Sequence, residues 1–272
     1  MGDTAIDQPD IGDVVRMMVP CGDSVVEFFV KPPSSYGPFP AVLFVHGHQT
    51  EQVRPGGRLP ITKGLFDRAV AAGYVPASIS MPGYGHTSGP PDFCGPRTQE
   101  AVRAGLARLR SLPYVDPSKI ALWGRSRGAV TAAMVATMEP DLCAVALLCG
   151  AYDFHDAYRK SPPGIVEIIK REAGTSEEAH RARSPLLFAD RIKAPTIIIH
   201  GALDNLCPPE HASQLHSRLL EYGTPVKLVM YAEADHCPPE NSLNAEVDQF
   251  FVDWLHSTQS KPVGDIYIDD AE

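Results

Sequence analysis

The chain has 272 residues and a formal net charge of −9, and 44% of its residues are hydrophobic. This length suffices for one large domain with a full core, and the apolar content is typical of a globular protein. An acidic chain without a cluster of Lys and Arg is a poor candidate for nucleic-acid binding, and its apolar runs are too short to span a bilayer.

The N-terminal segment has acids and a proline where a secretory signal has basic and apolar residues, so we expect a cytoplasmic protein. Residues 1–12 are predicted to be a loose leader. Six cysteines are scattered along the chain without a Cys-x-x-Cys pair or zinc-finger spacing. We therefore expect no disulfides. Neither a metal nor an organic cofactor is expected.

Two strands, at 14–19 and 24–31, are predicted to form a hairpin around the turn at 21–23. The apolar run at 41–45 is typical of a strand that is buried on both faces. Beyond this run, segments with helical periodicity alternate with short apolar runs that are typical of strands. Helices are predicted at 62–72, 98–112, 129–138, 209–222 and 243–255, and strands at 74–81, 120–123, 142–149, 195–200 and 226–231.

This alternation predicts an α/β fold, with a mostly parallel eight-stranded sheet and helices on both faces. We expect a single domain over residues 1–272. The segment 151–192 has no regular pattern apart from two short helices at 165–172 and 177–183, and we expect it to shape the substrate pocket. Residues 257–272 are predicted to be a loose acidic tail.

Between the strand at 120–123 and the small-residue helix at 129–138 lies the pattern Gly-x-Ser-x-Gly, with Ser126 at its centre. A serine in a sharp turn from strand to helix is typical of a hydrolase nucleophile. Gly124 and Gly128 leave room for the backbone in such a turn. The start of the following helix stabilises negative charge at the serine.

Polar residues also follow two later strands, and the carboxyl ends of parallel strands meet at one edge of a sheet. His236 is the candidate base and Asp204 the candidate acid that orients it, in the chain order Ser, Asp, His. Asp153 follows an earlier strand and is the alternative acid. The backbone N–H groups of Arg127 and His48 are the candidate oxyanion donors, with Gln49 as the alternative to His48.

Two further clusters near these positions have other interpretations. His46 and His48 could suggest a metal site, but no third ligand follows at a suitable spacing, so we expect a structural role for His46. Cys207 and Cys237 lie close in sequence to the candidate acid and base, and a redox role for the pair stays open.

The chain resembles the α/β-hydrolases, and specifically the catalytic domain of the prolyl oligopeptidase family. The resemblance runs in family order from about residue 40 to 255. It rests on His46-Gly47, Pro82-Gly83-Tyr84-Gly85 with Ser88-Gly89, Asp116-Pro117-Ser118-Lys119-Ile120, the Gly124 to Gly128 motif, Ser184-Pro185, His200-Gly201-x-x-Asp204 and Asp235-His236. It implies a catalytic triad of Ser126, Asp204 and His236.

Two departures from the family favour a small-molecule esterase over a peptidase. Only about forty residues precede the third strand, too few for the β-propeller that gates peptides in these peptidases. The oxyanion segment reads His-Gly-His-Gln instead of a glycine-rich version. We therefore predict a serine hydrolase that cleaves carboxylic esters through an acyl-enzyme, as a stand-alone, esterase-like member.

Three alternatives to an esterase remain. They are a peptidase or aminopeptidase, a lactone hydrolase related to diene-lactone hydrolases, and a catalytically dead binding module.

Candidate substrate-binding residues are Arg125, Tyr84, Phe154 and Tyr158, with Phe93 and Phe188 as further pocket candidates. Arg125 and Arg127 are expected either in surface salt bridges or in contact with an anionic substrate group. The expected partner is a small ester. Neither nucleic acid nor membrane is expected, and a homodimer is possible.

Overall fold

In the computed structural model, residues 11–50, 52, 54–238, 240–256 and 266–269 are described. Within them, nine strands form one sheet in the order β1-β2-β4-β3-β5-β6-β7-β8-β9. The strands are β1 (Val15–Cys21), β2 (Ser24–Val30), β3 (Phe39–Val45), β4 (Val75–Ile79), β5 (Val115–Arg125), β6 (Ala144–Leu148), β7 (Thr196–Gly201), β8 (Val226–Tyr231) and β9 (Ile266–Asp269). β1 and β2 form the antiparallel hairpin, β2 is antiparallel to β4, and all other pairs are parallel.

The helices between the strands cover both faces of the sheet. They are α1 (Arg58–Thr62), α2 (Leu65–Ala71), α3 (Pro96–Arg110), α4 (Arg127–Ala136), α5 (Phe154–Lys160), α6 (Pro163–Glu172), α7 (Glu177–Arg181), α8 (Glu210–Glu221) and α9 (Glu240–Leu255), with a 3-10 helix at Pro185–Arg191.

The central strands are apolar on both faces because each face carries its own core. Alternate side chains of β5 divide accordingly: Leu122 packs in one cluster with residues of α3, α4 and α8, and Ala121 packs in the other with residues of α2 and α9. This alternation is the period of two that a doubly covered strand requires. The predicted fold class, a mostly parallel α/β sheet with helices on both faces, is confirmed.

The observed elements differ from the predicted ones most clearly in three places. The predicted helix at 62–72 begins later, as α2 at Leu65–Ala71, because Gly64 takes a left-handed φ of 74° that interrupts helical geometry, and the short helix α1 that precedes it was not predicted. The sheet has a ninth strand, since Ile266–Asp269 pairs with β8 inside the segment predicted to be a loose tail. The segment 151–192, predicted to be mostly irregular, forms three α-helices and the 3-10 helix.

Residues 1–10, most of the predicted leader, lie outside the described residues. In the part of the chain that is described, no helix combines the length and the apolar character needed to cross a bilayer.

Candidate active site

Ser126 occupies the tight turn from β5 into α4, with φ 55° and ψ −118°. A positive φ is costly for a residue with a side chain, and it turns Ser126 away from the strand that precedes it. The Ser126 N–H donates to the Leu148 carbonyl at 2.7 Å, which ties the turn to β6. A Cβ at Gly124 would collide with the Gly128 carbonyl, so this turn requires glycine there.

Ser126 and His236 are in hydrogen-bond contact, with 3.0 Å between Ser126 Oγ and His236 Nε2. The other ring nitrogen, His236 Nδ1, lies 2.7 Å from Asp204 Oδ2. Asp204 follows β7 and His236 follows β8, so the ends of two neighbouring parallel strands place the carboxylate and the imidazole beside the serine. This arrangement can pass a proton from the hydroxyl to the ring while the carboxylate fixes the ring's tautomer.

The Asp204 carboxylate is fully buried and is held by several donors. Burial alone would raise its pKa. Hydrogen bonds from His200, from His236 and from the Cys207 N–H instead keep the pKa well below its usual range. The N–H groups of Leu206 and Cys207 donate to Asp204 Oδ1 at 2.8 and 2.9 Å, which shapes the loop around the carboxylate. Asp204 is therefore a fixed negative charge beside the imidazole.

The charge of Asp204 changes the pKa of His236. Burial disfavours the imidazolium, but contacts with Asp204 and with the thiols of Cys207 and Cys237 raise the pKa of His236 above its ordinary value.

Asp153, the alternative acid, instead caps α5, where its Oδ1 accepts the Asp156 N–H at 3.1 Å. The structure thus brings Asp204, and not Asp153, to His236.

The candidate oxyanion residues lie beside the serine, since Gly47, His48, Ser126 and Arg127 all line one cavity. The Tyr84 hydroxyl bridges two of them, 3.2 Å from His48 Nδ1 and 3.3 Å from Arg127 Nη1. The side chain of Gln49, the alternative donor residue, is bound to the backbone of Gly56 through both its amide oxygen and its amide nitrogen.

The Arg127 side chain has a role that neither sequence-based alternative anticipated. Its guanidinium lies 2.8 Å from the Glu172 carboxylate and 3.7 Å from the centre of the Phe93 ring. The two charged side chains are only 7% and 4% exposed, so this is a buried ion pair and not a surface salt bridge. Arg125, in contrast, lines the cavity together with Ser126.

The cavity next to the triad has a volume of about 350 Å³ and mostly apolar walls. Its lining residues are Gly47, His48, Leu59, Phe93, Arg125, Ser126, Arg127, Val130, Ala151, Phe154, Ala157, Ser161, Ile165, Ile169, Leu206, Cys207 and His236. Helices α5 and α6, from the segment 151–192, supply one wall through Phe154, Ile165 and Ile169. Phe93 and Phe154 were predicted as pocket residues and line it.

Three other predicted pocket residues lie elsewhere. Tyr84 is buried behind the wall, where its ring packs against His46 with 4.8 Å between centroids. Tyr158 packs against His180 at 4.9 Å. Phe188 contacts the guanidinium of Arg181. Position in the chain could not distinguish a pocket wall from the layer of side chains behind it.

His46 is committed to the protein's own backbone. The Met81 N–H donates to its Nε2 at 3.0 Å, and its Nδ1 lies 2.8 Å from the Gly47 carbonyl. Burial lowers the pKa of His46 to about 4, so the ring is neutral. Both nitrogens are used, which fits the predicted structural role.

The cysteines near the triad are free thiols. Cys207 lines the cavity and its thiol contacts His236, while burial raises the pKa of that thiol. Cys237 contacts both His236 and the Cys149 thiol. Cys207 and Cys237 were noted from the sequence, whereas the apolar wall residues Leu59, Ile165, Ile169 and Leu206 carry no local signal that marks them as cavity residues.

Comparison with known proteins agrees with this architecture. Residues 94–261 match the model of the prolyl oligopeptidase family. The uncharacterized peptidase YtmA of Bacillus subtilis (strain 168) is 23% identical over 237 residues, which are 85% of this chain and 88% of that protein. A second uncharacterized peptidase of that organism, YuxL, is 24% identical over 148 residues, which are 53% of this chain and 22% of YuxL. The chain thus spans about a fifth of YuxL's length.

The fold is shared with the Pyrococcus furiosus esterase Pf2001, with a TM-score of 0.68 and 17% identity, over 89% of this chain and 91% of the esterase. The family model covers more than half of the present chain, and the resemblance inferred from its motifs is confirmed. The chain belongs to the prolyl oligopeptidase family of serine hydrolases, within the α/β-hydrolase fold.

Proposed function

We propose that this protein cleaves carboxylic esters through an acyl-enzyme formed on Ser126. One observation carries the proposal: the hydrogen-bonded chain from Asp204 through His236 to Ser126 lies at the wall of an apolar cavity. A serine is a weak nucleophile until a base takes its proton, and here the base is in contact and already oriented.

In the first half-reaction, Ser126 Oγ attacks the ester carbonyl carbon while its proton passes to His236 Nε2. The backbone N–H groups of Arg127 and His48 hold the resulting oxyanion. The C–O bond to the alcohol then breaks, and His236 gives the proton to the departing oxygen. In the second half-reaction, water attacks the acyl-enzyme with His236 again as base, which releases the acid and restores Ser126.

Three features favour a neutral ester with an apolar acyl group. The cavity walls are mainly aliphatic and aromatic. The Arg127 charge, which could have attracted an anionic group, is balanced by Glu172. The volume of about 350 Å³ is near the lower end of ligand pockets, which suits a small substrate. The name of the similarly sized Pyrococcus furiosus esterase supports the same chemistry.

A peptidase is the second candidate, because the names of both Bacillus relatives describe peptidases. A panel of p-nitrophenyl esters tested beside aminoacyl p-nitroanilides distinguishes the two. We expect hydrolysis of the esters with far higher kcat/KM. Faster hydrolysis of the anilides would make the protein a peptidase with the same triad.

A fluorophosphonate probe tests the nucleophile itself. We expect one adduct, on Ser126, and a fall in kcat of about a million-fold in Ser126→Ala. Asp204→Asn should also lower kcat severely, whereas Asp153→Asn is the matched control and should keep most of the activity. A protein that takes no adduct on Ser126 and hydrolyses nothing would be a binding module with a hydrolase fold.

A further inference from the structure

A thiol lies against the candidate triad although ester hydrolysis does not require one. Ligand atoms of Asp204, Cys207 and His236 all lie within 4.8 Å of one another. The loop after β7 produces this cluster, because the Cys207 N–H donates to Asp204 Oδ1 at 2.9 Å and so folds Cys207 back towards the carboxylate.

One oxygen, one nitrogen and one sulfur donor form a ligand set that suits Zn²⁺. This ion binds carboxylate oxygen and imidazole nitrogen at about 2.0–2.2 Å and thiolate sulfur at about 2.3 Å, usually in tetrahedral geometry. Donors in such a site are roughly 3.3–3.7 Å apart. To reach that spacing, the 2.7 Å between Asp204 Oδ2 and His236 Nδ1 must widen, and the Cys207 thiol, which is within 4.8 Å of both, must come to about 3.5 Å.

An ion in the cavity can reach two of the three donors, since Cys207 and His236 line it, and the buried Asp204 carboxylate lies directly behind His236. Other histidines nearby do not compete. His46 uses both ring nitrogens within the protein, and His200 Nε2 lies 3.0 Å from the Cys207 carbonyl and 3.2 Å from Asp204 Oδ2. The three donors are therefore the convergent set next to the cavity among the residues that the structure describes.

We propose that Zn²⁺ binds to Asp204, Cys207 and His236 and reversibly inhibits the enzyme. On binding, the Cys207 thiol releases its proton to solvent and a zinc–sulfur bond forms. His236 Nδ1, which carries the ring proton while it donates to Asp204, binds the ion through its lone pair as that proton moves through solvent to Nε2, and water takes the fourth position. His236 can then no longer receive the Ser126 proton, so acyl transfer stops. The ion is an inhibitor here and not a cofactor, and chelation restores the free triad.

Inhibition rests on the proposed function, but ion binding does not, so binding is measured separately. Co²⁺ is added to the Ser126→Ala protein, in which the three donors are intact. We expect a near-ultraviolet absorption band from cobalt–thiolate charge transfer, which Zn²⁺ abolishes by displacing the Co²⁺. In the unaltered enzyme, Zn²⁺ should inhibit ester hydrolysis and EDTA should restore the rate.

Variants of single donors identify the site. Cys207→Ser should lose the cobalt band and require at least about tenfold more Zn²⁺ for half inhibition of its own rate. His236→Ala should also lose the band, which provides a second donor variant if the first fails to fold by circular dichroism. Cys21→Ser changes a thiol on β1, away from the cluster, and should leave both the band and Zn²⁺ sensitivity unchanged.

Two results would overturn the assignment. A cobalt band that persists in Cys207→Ser, or that disappears in Cys237→Ser but not in Cys207→Ser, would place the metal on other donors. Normal ester hydrolysis with no Zn²⁺ inhibition and no cobalt band would refute the metal site and leave the proposed function standing. A cobalt band in a protein whose Ser126 takes no fluorophosphonate would refute the proposed function and leave the metal site standing.

Discussion

Arg127 and Glu172 form a buried ion pair, 2.8 Å between Nη1 and Oε2, that joins the residue after the candidate nucleophile to the last turn of α6. The carboxylate has a second, more exposed cation in Arg171 at 3.3 Å. One guanidinium nitrogen of Arg127, Nη2, is buried without a hydrogen-bond partner among the described residues. The pair therefore depends heavily on the single close contact.

Removing Glu172 should destabilise the protein markedly. In Glu172→Ala the Arg127 charge stays buried without its carboxylate, and breaking such a pair costs about 3–5 kcal/mol. Urea unfolding should show this loss in the free energy of unfolding. The exposed pair Arg218–Glu221 is the control, because Glu221→Ala should cost less than about 1 kcal/mol.

The double variant Arg127→Met/Glu172→Leu should recover most of that stability, because no unpaired charge then remains. A Glu172→Ala protein as stable as Glu221→Ala would mean that water reaches and solvates the guanidinium, contrary to the burial seen here.

Tyr84→Phe should lower kcat more than it changes KM. The hydroxyl bridges His48 and Arg127, the residues whose N–H groups we propose to hold the oxyanion. Two hydrogen bonds of about 0.5–1.5 kcal/mol each correspond to a decrease in kcat of roughly ten-fold. Steady-state kinetics on a p-nitrophenyl ester measures it.

Tyr74→Phe is the matched control for Tyr84, since the Tyr74 hydroxyl is buried without a hydrogen-bond partner among the described residues. It should leave kcat and KM unchanged. If Tyr84→Phe raised KM at constant kcat, the hydroxyl would act in substrate binding and not in positioning the oxyanion donors.

The pH dependence of kcat/KM should report His236. The ring accepts the Ser126 proton only when it is neutral, so kcat/KM should rise as pH increases through the pKa of His236. The Asp204 carboxylate helps to raise that pKa. Asp204→Asn removes this stabilisation of the imidazolium, so the rising limb should move to lower pH while the maximal rate falls.

Asp235→Asn is the control for this shift, because Asp235 is an exposed neighbour of His236 in the chain. Its substitution should move the rising limb much less than Asp204→Asn does. If the rising limb of kcat/KM stayed at the same pH in Asp204→Asn, a group other than His236 would be responsible for it.

Ile165→Phe should select against long acyl groups. Ile165 lines the cavity from α6, and a phenyl ring there would shorten the available space. In a series of acetyl, butyryl, hexanoyl and octanoyl p-nitrophenyl esters, kcat/KM should fall for the longer members and change little for the acetyl ester. Ile168→Phe, on the same helix but absent from the cavity lining, should not alter the profile.

The placement of the candidate triad could be predicted because it follows from topology. Parallel strands end at one edge of the sheet, so residues directly after β5, β7 and β8 had to meet there. The sequence context of Ser126 marked the turn, and the position of His236 directly after a late strand marked the base. Choosing Asp204 over Asp153 needed the family motif, because both residues follow central strands.

Features that depend on distant contacts could not be predicted in the same way. The partner of Arg127 lies 45 residues away on a helix whose orientation no local pattern indicates. Tyr84 and Phe93 lie in one polar loop region, yet only Phe93 reaches the cavity. The ninth strand lies in an acidic tail, and its pairing with β8 is visible only once the sheet is assembled.

The Arg127–Glu172 contact also constrains how this enzyme can be redesigned. Helix α6 is the obvious element to replace when a larger acyl chamber is wanted, since Ile165 and Ile169 project from it. A transplanted helix that lacked an acid at position 172 would leave the Arg127 guanidinium buried without a counter-charge, next to the turn that carries Ser126. Libraries that vary α6 should therefore keep residue 172 fixed, or vary it jointly with residue 127.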